Sequence, residues 1–170
     1  MKNVKDSRGR QDLPSPSLSK KIVIVGIGNI LLTDEGIGVH VISELKKEEI
    51  PSYIEIIDAG TATIDLIDSI CDVDKLILID AVKGGGKAGS IYKFDPSDIE
   101  FEKEVVSSLH QVGLIEVLNI AQKLGRRPKD VVVIGVEPKE IRWGLELSKE
   151  IKEKIPEIIK LVLKEVNINA

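Results

Sequence analysis

The sequence predicts a three-layer α/β/α domain built around a mostly parallel, twisted five-stranded sheet, with one edge strand antiparallel. Two observations predict it. From Lys21 onward, short β-branched runs alternate with longer stretches whose apolar residues recur three and four apart, the pattern of βα units. The first, third and fifth runs are aliphatic but for Lys75 and Gly135, as strands covered on both faces should be.

Residues 1–20 are polar, with Pro14 and Pro16 among serines and no hydrophobic period, so they are expected to form a flexible tail ahead of one domain spanning 21–170. Strands are expected at 22–25, 53–57, 75–79, 90–94 and 131–136, each bounded by Gly, Asp or Pro. Helices are expected at 36–48, 62–70, 111–124 and 148–166. In the last, Ser148 is placed to act as N-cap and Pro156 should bend or restart the helix. The fourth strand follows the turn Gly84-Gly85-Gly86 too closely for a helical crossover and is therefore expected to pair antiparallel at a sheet edge.

At 170 residues and 42% hydrophobic content, the chain can fill one core. Charge is mixed, 24 Lys and Arg against 28 Asp and Glu, and only 3% of residues are aromatic. A nucleic-acid binder would carry a basic stripe with stacking aromatics, so that class is disfavoured. One cysteine, Cys71, can make no internal disulfide, and neither a signal-peptide core nor a membrane-length apolar run is present. These features point to the cytoplasm and no membrane partner. The aliphatic, Lys- and Glu-rich composition hints at a thermophilic source.

In open α/β sheets, functional groups gather where the loops leave the carboxyl ends of the strands. Three such loops are expected here, at 26–38, 58–63 and 80–86, and each contains a carboxylate at or near its strand. The opening Gly26-Ile27-Gly28-Asn29 is similar to a dinucleotide fingerprint, yet Leu31 stands where the third glycine belongs, and Asp34 and Glu35 would repel a phosphate. A nucleotide site is disfavoured on both counts. Taken singly, Glu35 could be a helix N-terminal charge, Asp80 a turn residue and His110 a cap neighbour.

Four blocks taken together resemble the hydrogenase maturation proteases. They are Gly26-Ile27-Gly28-Asn29-Ile30-Leu31-Leu32-Thr33-Asp34-Glu35-Gly36-Ile37-Gly38, Asp58-Ala59-Gly60-Thr61, Leu78-Ile79-Asp80-Ala81-Val82 and Leu109-His110-Gln111-Val112-Gly113-Leu114. The resemblance implies that Glu35, Asp80 and His110 bind metal and carry the catalysis, with Asp58, Gly28, Asn29 and Asp34 in support. It implies an endopeptidase that trims the C-terminus of a [NiFe] hydrogenase large-subunit precursor once nickel is installed. Nickel is then recognised in the substrate, and zinc or cadmium could replace it in a crystal. Two carboxylates and one imidazole form a set of borderline hardness with coordination positions open, which agrees. With so few ligands, the isolated protein is expected to be largely metal-free, and it is also expected to be a monomer. A nickel-binding escort that does not cut would use the same ligands, and peptide cleavage separates the two.

Other protease arrangements fit poorly. Ser107 and Ser108 lie outside any nucleophile-elbow pattern, the His-Glu-x-x-His zinc signature is absent, and Cys71 is expected to pack at a helix end. His40 is expected to face solvent or pack on the first helix, and Arg142 and Trp143 to pack on the surface after the last strand.

Overall fold

The computed structural model describes residues 20–96 and 109–167, with the side chains of 109–112 outside that description. The expected tail falls outside it save for Lys20, as do Ser107 and Ser108. Five strands form one sheet: β1 Ile22–Ile27, β2 Ile54–Gly60, β3 Lys75–Ala81, β4 Ile91–Phe94 and β5 Asp130–Val136. Their order is β2-β1-β3-β5-β4, parallel except for the antiparallel β4·β5 pair at one edge. That antiparallel edge is the consequence of the short glycine connection after β3.

Period-two alternation along the buried strands divides the core into two layers. Ile22, Ile24, Ile77, Ile79, Val132 and Ile134 pack against the helices α1 (Ile37–Leu45), α4 (Lys149–Lys152) and α5 (Ile155–Glu165). Val23, Val25, Leu76, Leu78, Val131 and Val133 pack on the other face against α2 (Ile67–Ile70) and α3 (Leu109–Lys123). The three central strands are buried almost end to end, because helices cover both their faces.

Differences from the sequence reading lie mainly at element ends. The strands β1, β2 and β3 run two or three residues further toward the loops. Both of the first two helices open with a 3₁₀ turn, at Thr33–Gly36 and Thr63–Leu66, where the Ile37 and Ile67 amides bond to the Asp34 and Ile64 carbonyls, and their α-helical parts are shorter than expected. The last helix is broken before Pro156, which lacks the N–H that a helix interior requires and sits instead in the first turn of α5. Ser148 stands at the N-cap of α4, but its hydroxyl makes no cap bond; it donates to Asp34. Cys71 is buried at the end of α2, as expected. Among the described residues no helix is long and apolar enough to cross a membrane.

Candidate active site

The site is built where β1 and β3 lie side by side and the helices that follow them depart to opposite faces of the sheet. A crevice opens at the carboxyl edge at such a switch point. The chain enters it at Gly28, whose φ of 146° suits only glycine, and where a Cβ would run into the carbonyl oxygen of Glu35. Gly38 does the same for α1: a Cβ there would collide with the carbonyl oxygens of Ile27 and Ile79. The absence of both side chains lets the turn carrying Glu35 lie directly on the ends of β1 and β3.

Between these glycines stand two consecutive carboxylates with opposite environments. Asp34 is fully buried and accepts four hydrogen bonds, from the amides of Lys139 (2.9 Å), Glu140 (2.9 Å) and Ser148 (2.7 Å) and from Ser148 Oγ (2.9 Å). It is a clamp that ties the loop after β1 to the segment after β5. Thr33 tightens the same join: its hydroxyl donates to the Glu140 carbonyl, its amide donates to that of Gly144, and these bonds hold a β-branched residue at φ 46°. Glu35 is half-buried, and its Oε2 is buried with no hydrogen-bond partner among the described residues.

Asp80 is the sixth residue of β3, 3% exposed, and its Oδ1 accepts the Ala81 amide at 2.8 Å. Ile79 pairs with Gly26, so Asp80 is level with the last residue of β1. By strand alternation it shares a face with Leu76 and Leu78, the face covered by α3. His110 is the second residue of that helix. The backbone of α3 approaches so closely at Gly113 that a Cβ there would strike Thr63 Oγ1, in the turn after β2. His110, one helical turn earlier, thus starts α3 at the carboxyl edge, on the same face as Asp80.

The expected supporting residues are more scattered. Asn29 shapes the turn, its Oδ1 accepting the Leu31 amide at 3.0 Å. Asp58 pairs in register with Gly26 and alternates with Ile54 and Ile56, which places it on the α1 face, away from Asp80; its Oδ1 accepts the Gly60 amide at 3.0 Å. Among the described residues no three His, Cys, Asp or Glu side chains converge into a metal-binding group. Glu35 and Asp80 are two members of the expected set, and the third is a residue whose side chain is outside the described ones.

Two further residues belong to this edge: His40, expected from the sequence to face solvent or pack on the first helix, and Glu137, which the sequence reading passed over. His40 is half-buried on α1 with its ring against Gly36, and its Nε2 is buried without a partner among the described residues. Glu137, just after β5, gathers the loop that follows Asp80: its Oε2 accepts from Tyr92 Oη (2.7 Å) and from the amides of Gly84 (2.8 Å) and Gly86 (3.2 Å). Burial opposes its charge, but these bonds, with Tyr92 foremost, prevail and hold its carboxyl below the usual glutamate value. The glycine turn hinted at a tight loop, but nothing in the sequence marked Glu137 as its anchor.

The sequence profile of HycI, described as hydrogenase maturation protease, matches residues 39–165. The HupD hydrogenase expression/formation protein of Bradyrhizobium diazoefficiens is 34% identical over 152 residues, covering 88% of this chain and 79% of that protein. The hydrogenase 2 maturation protease of Escherichia coli is 33% identical over 147 residues, covering 84% of this chain and 88% of its own. The solved structure of the E. coli hydrogenase maturating endopeptidase HybD superposes with a TM-score of 0.80 at 32% identity, covering 86% of this chain and 92% of that one. Fold, order of sequence blocks and relatives agree, and the chain belongs to the hydrogenase maturation protease family.

Proposed function

We propose that this protein is an endopeptidase that removes the C-terminal extension of a [NiFe] hydrogenase large-subunit precursor after nickel insertion, with Glu35, Asp80 and His110 engaging the nickel held by the substrate. Glu35 Oε2, buried and without a hydrogen-bond partner among the described residues, carries this reading. A desolvated carboxylate oxygen without a hydrogen bond costs about 1–3 kcal/mol, and a cation arriving from outside relieves that cost. Asp34, one residue away, is already saturated by four donors, so only the second carboxylate of the pair is left to take a ligand. Glu35 and Asp80 would supply oxygen donors and His110 nitrogen, a set that suits nickel. Seating the metal then fixes the scissile peptide beside it, so the cut waits for nickel and the enzyme acts as a checkpoint.

The test is to mix the purified protein with nickel-loaded and with nickel-free precursor and weigh the products by mass spectrometry. Loss of one C-terminal peptide from the loaded precursor alone is the expected result. Cleavage of both forms would remove nickel from the reading; binding without cleavage would leave an escort in place of a protease.

A further inference from the structure

The exposed large apolar side chains are unevenly distributed. Of nine among the described residues, six lie at the carboxyl edge: Ile30 (45% exposed), Leu31 (47%), Ile64 (54%), Ile141 (39%), Trp143 (78%) and Leu145 (63%). Trp143, expected from the sequence to pack on the surface, projects outward instead. Its neighbours explain why: Gly144 is drawn into the first loop, its amide donating to the Leu31 carbonyl and its own carbonyl accepting from Thr33, so the residues on either side are turned away from the core. The charge between them is neutralised internally, since Arg142 donates from Nε and Nη2 to both carboxylate oxygens of Glu140 at 3.0 Å.

A tryptophan left in water on a segment pinned by a buried carboxylate is a rigid apolar feature, and such features favour association because little freedom is lost on binding. The segment is also continuous with the candidate site. Ile30 and Leu31 belong to the loop that ends in Glu35, and the Asp34 clamp joins that loop to 139–148. Resting on the maturation-protease reading, we propose that Ile30, Leu31, Ile141, Trp143 and Leu145 form the docking face for the folded body of the large-subunit precursor, seating an apolar surface of that protein while its metal reaches Glu35. Affinity then comes from Trp143 and its neighbours and metal discrimination from Glu35, two separable contributions.

The experiment compares wild type, Trp143→Glu, Leu145→Lys and, on the far end of α3, Leu124→Ser. For each, the Kd for nickel-loaded precursor is measured by calorimetry, together with KM and kcat for cleavage. The two docking variants should melt as the wild type does, because their side chains are outside the core, and should raise Kd and KM about 30-fold with kcat within about 2-fold. Leu124→Ser should change none of these. Unchanged Kd and KM in the docking variants would overturn the proposal, and so would a fall in kcat alone. Sedimentation velocity covers the rival occupant: a wild-type dimer that Trp143→Glu converts to monomer, with KM unaltered, would assign the face to a second copy of the chain. Wild type that binds precursor through Trp143 without cutting it would sink the protease reading and leave the docking face standing.

Discussion

At the amino-terminal edge of the sheet, acidic groups are matched by cations. Asp74 accepts from Lys129 and from the Lys21 amide, Asp72 from Arg126, and Glu165 from Lys75 and Lys93, with Lys75 also paired to Asp130. At the carboxyl-terminal edge, Glu35 and Asp58 have no ion pair among the described residues, and the buried carboxylates of Asp34 and Glu137 are held by amides and hydroxyls. The same α/β layers thus support two chemistries. Ion pairs at one end compensate their own charge and serve stability, whereas at the other end Glu35 and Asp58 stand without an ion pair among the described residues, an arrangement that suits uptake of a cation.

The largest expected effects come from the adjacent pair Asp34 and Glu35, which would show whether the carboxyl edge itself divides into scaffold and site. Asp34→Ala leaves three amides and a hydroxyl without their acceptor and should cost on the order of 4 kcal/mol in urea unfolding. Glu35→Ala removes a buried oxygen that has no hydrogen-bond partner among the described residues, so stability should hold within about 1 kcal/mol or rise. Its cleavage of nickel-loaded precursor should nevertheless fall by roughly 100-fold or more. If both variants unfolded alike, Glu35 would be scaffold too.

A smaller effect tests the other edge. Lys75 is a mostly buried cation, and although burial works against its charge, its bonds to Glu165 and Asp130 prevail and raise its pKa. Lys75→Ala should lower stability by about 2 kcal/mol with kcat and KM unchanged, read by thermal melting and cleavage. A change in catalysis would break the separation of the two edges.

The smallest expected effect is in acid. Burial opposes the charged forms of Glu165 and Glu137, but the lysine partners of the first and the Tyr92 and amide bonds of the second prevail, so both folded pKa values lie below the ordinary 4.5. Their stabilisation is complete above that value and is lost as pH falls through the lower folded values. Melting temperature should therefore drop below about pH 4.5, and Glu137→Gln should make that drop shallower. An identical acid profile in the variant would show that Glu137 is not held charged by its loop.

Family resemblance singled out Glu35, Asp80 and His110, and Asp80, expected to open the loop after β3, stands inside that strand; local patterns by themselves determined the five strands, their covered faces and the antiparallel edge. Each follows from alternation, helical period or a short glycine connection, which are properties of neighbouring residues. The tertiary structure alone decided that Asp34 is a clamp while Glu35 Oε2 is buried with no hydrogen-bond partner among the described residues, since the donors to Asp34 come from residues 105 to 114 positions away. It also decided that Asp58 lies on the opposite face from Asp80, that Glu137 anchors the glycine turn, and that Trp143 points into water. Hydrogen-bond partners so distant in sequence leave no periodic trace, because the bond depends on where two loops meet in space.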